Sequence, residues 1–304
     1  MIQAMSSHLN EWFLLARKIK IHPLFWFVLG IGIITGYFRE VLMVFMIVFI
    51  HELGHAVAAS YFKWKINKIE LLPFGGVAEI EDNGNKPFRE ELMIILAGPI
   101  QHVWMIGLSF SFAGSSFWSE QAHQLFLNHN LVILLFNLLP ILPLDGGRLL
   151  QLLCCYRSPY KKGMATARKL SFFILIACIM IVSFFFSFHL NIWVVFSFLI
   201  LNNYLEWKQR HYRFVRFLMG RNAFVPKRPI KTIRVDDTMI IKDVMDLFER
   251  GVTHQLVVSS QSKEAPIYVP ESMLLMAFLG NRSRIQLKEW LDSTEHDDFR
   301  MIKI

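Results

Sequence analysis

The first chemical signal lies in three residues of one stretch: His51, Glu52 and His55, spaced H-E-x-x-H within residues 41–62. On an α-helix, positions i and i+4 share a face, so imidazoles at 51 and 55 can offer nitrogens to one point. Glu52 follows the first imidazole and can act as general base toward a water held by a metal there. The surrounding run, VLMVFMIVFI before the motif and AVAASYF after it, has the composition of a membrane span. Ionisable groups at bilayer depth cost about 2.5–3.5 kcal/mol each on insertion scales and by default mark function. The alternative is a pair of histidines hydrogen-bonding neighbouring helices.

Two imidazoles do not complete a catalytic zinc, which takes three protein ligands and keeps a fourth position for water. If the motif helix enters from the outer side near Val41, His55 stands about 21 Å along it at 1.5 Å per residue, toward the cytoplasmic side. Asp145 falls at a similar depth, well past the outer start of a later span. It closes the stretch NLLPILPLD, residues 137–145, where Pro140 and Pro143 cannot both occupy an undistorted helix. Asp145 is therefore assigned as the third ligand; its competing role is capping a turn, as Asp-Gly pairs do. His22, His102, His129 and His189 lack ligand spacing and are read as structural or interfacial. Cys154, Cys155 and Cys178 fit no metal spacing and no disulfide framework.

These residues need a scaffold that holds them at depth. The 304-residue chain is 54% hydrophobic with mean hydropathy +0.40, beyond the apolar content of a soluble domain. It reads as a polytopic α-helical membrane protein with six transmembrane helices, a membrane-associated β-hairpin and a small C-terminal α/β domain. An interfacial helix is expected over residues 1–22, with no signal-peptide cleavage site. Spans are expected at about Pro23–Phe38, Val41–Phe62, Phe88–Phe112 with a break at Gly98-Pro99, from Leu125 to an unwound end near Asn137, Leu170–Phe188 and Ile192–Tyr204. Asp145-Gly146-Gly147 is expected to turn the chain.

The net charge of +8 is clustered between the spans, which speaks for topology and against nucleic-acid binding. Arg17, Lys18 and Lys20 precede the first span. Lys63, Lys65, Lys68, Lys86 and Arg89 lie around the second-to-third loop, and Arg148, Arg157, Lys161, Lys162, Arg168 and Lys169 before span five. The opposite loops hold Arg39 alone. Both termini are thus expected in the cytoplasm.

Between spans two and three, Ile69–Ile80 reads as two apolar arms flanking a Gly75-Gly76 turn, with Pro73 marking the first arm as an edge. Such an edge suits strand addition by an extended peptide, and Asn137 has the donor and acceptor to hold a backbone opposite it. Residues 208–230 read as a basic linker. In the tail, Met239–Arg250 has helical periodicity, Gln255–Val258 and Ile267–Val269 read as strands and Glu271–Leu279 as a second helix, a β-α-β-β-α order without a glycine-rich phosphate loop.

HELGH in one span and N-x-x-P-x-x-P-L-D-G from Asn137 to Gly146 resemble the site-2 protease family of intramembrane zinc metalloproteases. The likeness covers about residues 20–155, and Gly75-Gly76 and Gly98-Pro99 resemble that family's embedded loop and following helix. The resemblance implies regulated intramembrane proteolysis, with Glu52 catalytic, His51, His55 and Asp145 on one Zn2+ per chain, and Gly75, Gly76, Asn137 and Pro140 positioning substrate. Six spans and one C-terminal unit resemble the sporulation branch of that family. That branch implies cleavage of the pro-sequence of a sigma factor near the cytoplasmic face of the mother-cell membrane around the forespore, under inhibitory membrane-protein regulators. The tail resembles a single CBS module, a type that binds ATP or another adenine nucleotide. One such unit buries little core, so a homo-oligomer is expected. The implied divisions are 1–22, an interfacial segment; 23–207, the six-span protease; 208–230, the linker; and 231–304, the CBS-like regulatory domain. A metal transporter or sensor without protease activity is the reading from another class. It leaves Glu52 without a task, and no inverted repeat relates the halves.

Overall fold

The computed structural model describes residues 19–21, 23–72, 75–80, 84–115, 118–185, 189–222, 229–259 and 266–294. The chain divides into two units. One comprises Met1–Asp82, Phe88–Leu150 and Ser171–Asn202; the other comprises Asn83–Pro87, Gln151–Leu170 and Asn203–Ile304.

The first unit is built on apolar helices. These are α1 (Pro23–Ile34), α2 (Phe38–Tyr61), α3 (Phe88–Phe112), α4 (Glu120–Asn137), the opening of α5 (Asp145–Tyr156), the later part of α6 (Tyr160–Phe185) and most of α7 (Leu190–Lys208). Among the described residues α2, α3 and α6 are long and apolar enough to cross a membrane. Large apolar side chains such as Val103, Leu135, Phe173 and Phe184 are exposed. In water such surface would cost about 25 cal/mol per Å²; against lipid it costs nothing comparable, and the chain is a membrane protein.

A three-stranded sheet, β1 (Ile19–Ile21), β2 (Ile66–Leu72) and β3 (Gly75–Ile80), lies beside α2 in the order β1-β2-β3. β1 runs parallel to β2 and β3 antiparallel to it. This corrects three expectations. Ile19–Ile21 is a strand, not the end of an interfacial helix: the β-branched Ile-Lys-Ile run finds a ladder partner in Ile69–Leu71. The rest of that expected helix lies outside the described residues. Gly75 and Gly76 pair with Leu72 and Leu71 inside the ladder rather than forming a turn, and residues 73–74 are outside the described residues. The arm before Pro73, β2, is the middle strand and not an edge, because β1 pairs with it on one side and β3 on the other.

The helices also differ from expectation at their ends. α1 stops at Ile34, short of Phe38. α3 continues through Gly98-Pro99 without a break. Pro99 removes one helical donor, the N–H that would meet the Ile95 carbonyl, and the helix carries on around it; one residue earlier, the Ile94 carbonyl accepts from His55 Nδ1 at 2.8 Å. α4 begins at Glu120 because Ser119 caps it, its side chain accepting from the Ala122 N–H at 3.3 Å. It ends at Asn137, where the two prolines do stop the helix. Asp145-Gly146-Gly147 opens α5 rather than turning the chain, and α6 already starts at Tyr160, so most of the basic stretch 148–169 is helical.

The second unit holds a sheet of β4 (Ile230–Asp236), β5 (Thr253–Ser259) and β6 (Ile267–Pro270), with β4–β5 parallel and β5–β6 antiparallel. Helices α9 (Ile241–Met245), α10 (Glu271–Ala277), a π-turn (Phe278–Arg282) and α11 (Leu287–Thr294) complete it. The β-α-β-β-α order stands, although the first helix is much shorter than Met239–Arg250. β5 alternates, burying His254, Leu256 and Val258 against Val244, Met245, Phe248, Leu274 and Trp290. Most of the expected linker is helix α8 (Arg210–Asn222), because Phe214, Phe217 and Leu218 recur at helical spacing and pack into this core. Arg221 ends the buried stripe. Its guanidinium donates to the Glu271 carboxylate and to the carbonyls of Glu249 and Val252.

Candidate metal centre

On α2 the buried residues Ile47, His51, His55 and Ala59 recur every fourth position. On α3 Ile94, Gly98 and His102 do the same. The two stripes face each other, and glycines allow the approach. A Cβ on Gly54 would stand 2.5 Å from the Ala97 carbonyl oxygen, and one on Gly98 would stand 2.2 Å from His55 Nε2. Small residues thus admit two imidazoles between the helices.

Asp145 comes from a separate segment, the first residue of α5. The chain after α4 folds back on itself, with Ile141 N–H donating to Leu139 O at 2.7 Å and Leu144 N–H to Ile141 O at 2.9 Å. Ser171 of α6 holds the fold by accepting the Leu142 N–H at 2.8 Å. The first turn of α5 then packs directly on these carbonyls: a Cβ on Gly146 would meet Leu138 O at 2.2 Å, and one on Gly147 would meet Ile141 O at 2.5 Å. Any side chain at 146 or 147 would push Asp145 out of place.

The result is one point shared by three buried groups. Asp145 Oδ2 lies 3.1 Å from His51 Nε2 and 3.3 Å from His55 Nε2, and the two Nε2 atoms are 3.2 Å apart. This is the one group of three or more metal-ligating side chains among the described residues. Asp145 Oδ2 is fully buried yet accepts no well-formed hydrogen bond. A buried carboxylate oxygen in that state is costly unless a cation completes its surroundings. The donor set, two imidazoles and a carboxylate, is that of catalytic zinc sites with an open fourth position. The residues therefore fit a zinc ion.

The far nitrogens of both imidazoles are tied to neighbours. His55 Nδ1 donates to Ile94 O, and His51 Nδ1 lies 3.1 Å from Nε2 of His102. His102 Nδ1 lies 3.1 Å from Asn130 Oδ1, and Asn130 Nδ2 donates to Phe126 O at 3.0 Å. His102, read from the sequence as structural or interfacial, lies outside the group of three and touches His51. Asn130 went unnoticed in the sequence; the available signal was His102 standing four residues after Gly98 on the same face of α3. Glu52 is 8% exposed and lies beside the three converging atoms in sequence without being one of them. Asn137, the last residue of α4, and Pro140 are half-buried in the segment leading to Asp145. Gly75 and Gly76 are in β3. His129 is half-buried, His189 is exposed, and His22 is outside the described residues.

The profile of Peptidase family M50 matches residues 40–124 and 115–182. Stage IV sporulation protein FB of Bacillus subtilis is 36% identical over 289 residues, covering 93% of this chain and 99% of that protein. Zinc metalloprotease MJ0392 of Methanocaldococcus jannaschii is 32% identical over 158 residues, 51% of this chain and 42% of that one. Among solved structures, a site-2 protease from Methanocaldococcus jannaschii matches with TM-score 0.48 and 28% identity, over 62% of this chain and 89% of that chain.

Proposed function

Because the chain belongs to Peptidase family M50, the site-2 proteases, and is an intramembrane zinc metalloprotease, we propose that His51, His55 and Asp145 hold its zinc and that Glu52 is its general base. The observation that carries these roles is the convergence of His51 Nε2, His55 Nε2 and Asp145 Oδ2, all buried, within 4.8 Å. Bound there, zinc supplies a Lewis acid that polarises the scissile carbonyl and acidifies water. Glu52 takes a proton from the attacking water at its carboxylate and returns it to the departing amine. Asp145 and the two imidazoles, buried among α2, α3 and α5, keep bulk water from their lone pairs.

The substrate must be extended, because a helix hides its carbonyls in internal hydrogen bonds. β3 is a sheet edge among the described residues, which supports strand addition along Gly75-Gly76, with Asn137 and Pro140 on the other side. The 36% identity to a stage IV sporulation protein, along 93% of the chain, supports the pro-sequence of a sporulation sigma factor as substrate and the mother-cell membrane as the site of action. The positive-inside pattern supports six spans with both termini cytoplasmic. The β-α-β-β-α order of residues 230–277 supports a CBS-like regulatory unit, and with it adenine nucleotide binding, pairing of chains and control by membrane-protein inhibitors. The division into a protease within 23–207 and a regulatory domain over 231–304 is kept as part of this reading, with 19–21 joining the sheet of the first and 210–222 a helix packed in the core of the second rather than a linker.

Co-expression with a tagged pro-sigma factor tests it. Wild type should shorten the substrate and Glu52→Gln should not. An unprocessed substrate in both would refute the substrate assignment, while equal processing would refute the role of Glu52.

A further inference from the structure

A zinc-binding imidazole must present a lone pair at the ligating nitrogen, and the hydrogen bond at its other nitrogen decides whether it does. The two ligand imidazoles are held in different ways. His55 Nδ1 faces the Ile94 carbonyl at 2.8 Å. A carbonyl only accepts, so the hydrogen sits on Nδ1 and Nε2 carries the lone pair. No substitution removes that acceptor. His51 Nδ1 faces another imidazole, His102, which can either donate or accept. The tautomer of His51 therefore depends on what fixes His102.

Asn130 fixes it. The Asn130 amide nitrogen donates to Phe126 O at 3.0 Å, four residues back on α4, which turns Oδ1 toward His102 Nδ1 at 3.1 Å. The opposite amide orientation would set two carbonyl oxygens 3.0 Å apart. With Oδ1 as acceptor, His102 must carry its hydrogen on Nδ1, and its Nε2 is a lone pair. That lone pair, 3.1 Å from His51 Nδ1, accepts the His51 hydrogen and leaves His51 Nε2 bare toward Asp145 and His55. His102 and Asn130 are both completely buried, so water cannot stand in for either.

We propose that His102 is a positioning residue that sets the tautomer and ring orientation of His51, and that Asn130 sets His102 in turn through a directed relay from Phe126 O to the metal point. This rests on the reading of His51 as a zinc ligand. Loss of the acceptor at 102 would leave the His51 hydrogen without a partner in a dry interior, or move it to the nitrogen meant for the ion.

The test uses the full chain in detergent, stripped of metal, and titrates Zn2+ against a chelating dye. His102→Leu keeps bulk but cannot accept, and should weaken zinc binding about 10–100-fold, the usual effect of losing an outer hydrogen bond to a ligand. His102→Gln can accept from His51 through its carbonyl and donate to Asn130 through its amide, so it should bind within about 3-fold of wild type on the same scale. Asn130→Leu leaves the His102 ring in place without direction, and should weaken binding less than His102→Leu. Cobalt(II) substitution gives a second readout: the ligand-field absorption of wild type and His102→Gln should coincide, and that of His102→Leu should differ. Wild-type affinity in both leucine variants overturns the relay. So does a His102→Gln variant as weak as His102→Leu, which would reduce position 102 to packing. If His102→Leu fails to fold, Asn130→Leu against His102→Gln decides alone. A wild-type chain that takes up no zinc would sink the metal centre itself, a different result from normal uptake untouched by these changes.

Discussion

Gly98 of α3 lies so close to His55 of α2 that a Cβ there would stand 2.2 Å from Nε2, and 2.8 Å from Nε2 of His51. The space a methyl group would need is the space from which both imidazoles reach the metal point. Gly98→Ala should therefore do more than a helix-stabilising substitution normally does. Overpacking of this kind costs about 1–3 kcal/mol. Here the easiest relief is displacement of the His55 ring, so zinc affinity should fall by at least about 10-fold, as for a lost outer contact. Metal content of the purified variant checks this. Full zinc occupancy with normal cleavage would show that α2 and α3 part without disturbing the ligands.

Asp145 separates ligand from cap. Asn serves the first turn of a helix almost as well as Asp. Asp145→Asn should nevertheless lose zinc and activity together, because the amide cannot supply the anionic oxygen that now lies within 3.3 Å of both Nε2 atoms. Near-normal metal in this variant would return Asp145 to a capping role.

Glu52→Gln should show the reverse pattern. The side chain is not among the three converging donors, so zinc should stay bound. Peptide cleavage should drop by about 10²-fold or more, the scale of general-base catalysis. Parallel metal analysis and substrate gels read both quantities. Cleavage near the wild-type rate would mean another group takes the proton.

The grouping of His51, His55 and Asp145 was legible because its signals are local or nearly so. An i, i+4 pair needs only a helix to bring it together, and Asp145 stood out as an acid at membrane depth after two prolines. The β-α-β-β-α order of the tail was legible for the same reason, since alternation and turn residues are local. What the sequence hid depends on partners distant in the chain. Ile19–Ile21 became a strand because Ile69–Leu71 offered a parallel ladder. The stretch 208–230 looked like a basic linker because its Arg and Lys dominate the composition. Its residues 210–222 fold as α8 because Phe217 and Leu218 find a core. Gly98-Pro99 looked like a break, yet Pro99 takes only one donor from α3 and the helix continues through it. Asn130 carries no motif at all: its meaning comes from His102, and that of His102 from His51.

The second unit offers a test independent of the membrane site. Burial pushes the Glu271 carboxyl up, but hydrogen bonds from the Arg221 guanidinium and from His254 outweigh it and pull the group from 4.5 down to about 2. The folded value lies below the unfolded one. Its stabilisation is therefore complete above pH 4.5, fades as the pH falls below that, and is gone once the pH passes about 2. Glu271→Gln removes the charge at every pH and leaves Arg221 buried with the Glu249 and Val252 carbonyls, the His254 ring and the new amide as partners. Breaking one side of a buried ion pair costs about 3–5 kcal/mol, and the remaining acceptors put this case at the lower end. Hydrogen exchange of the β5 peptide Thr253–Ser259 in the full chain reads the effect, with the variant compared to wild type at each pH. Near neutrality the variant should exchange much faster. The gap should shrink as the pH is lowered from about 5 toward 2, because protonation takes from the wild type what the substitution took from the variant. A gap that stays constant across that range would mean that shape, and not charge, joins Glu271 to Arg221.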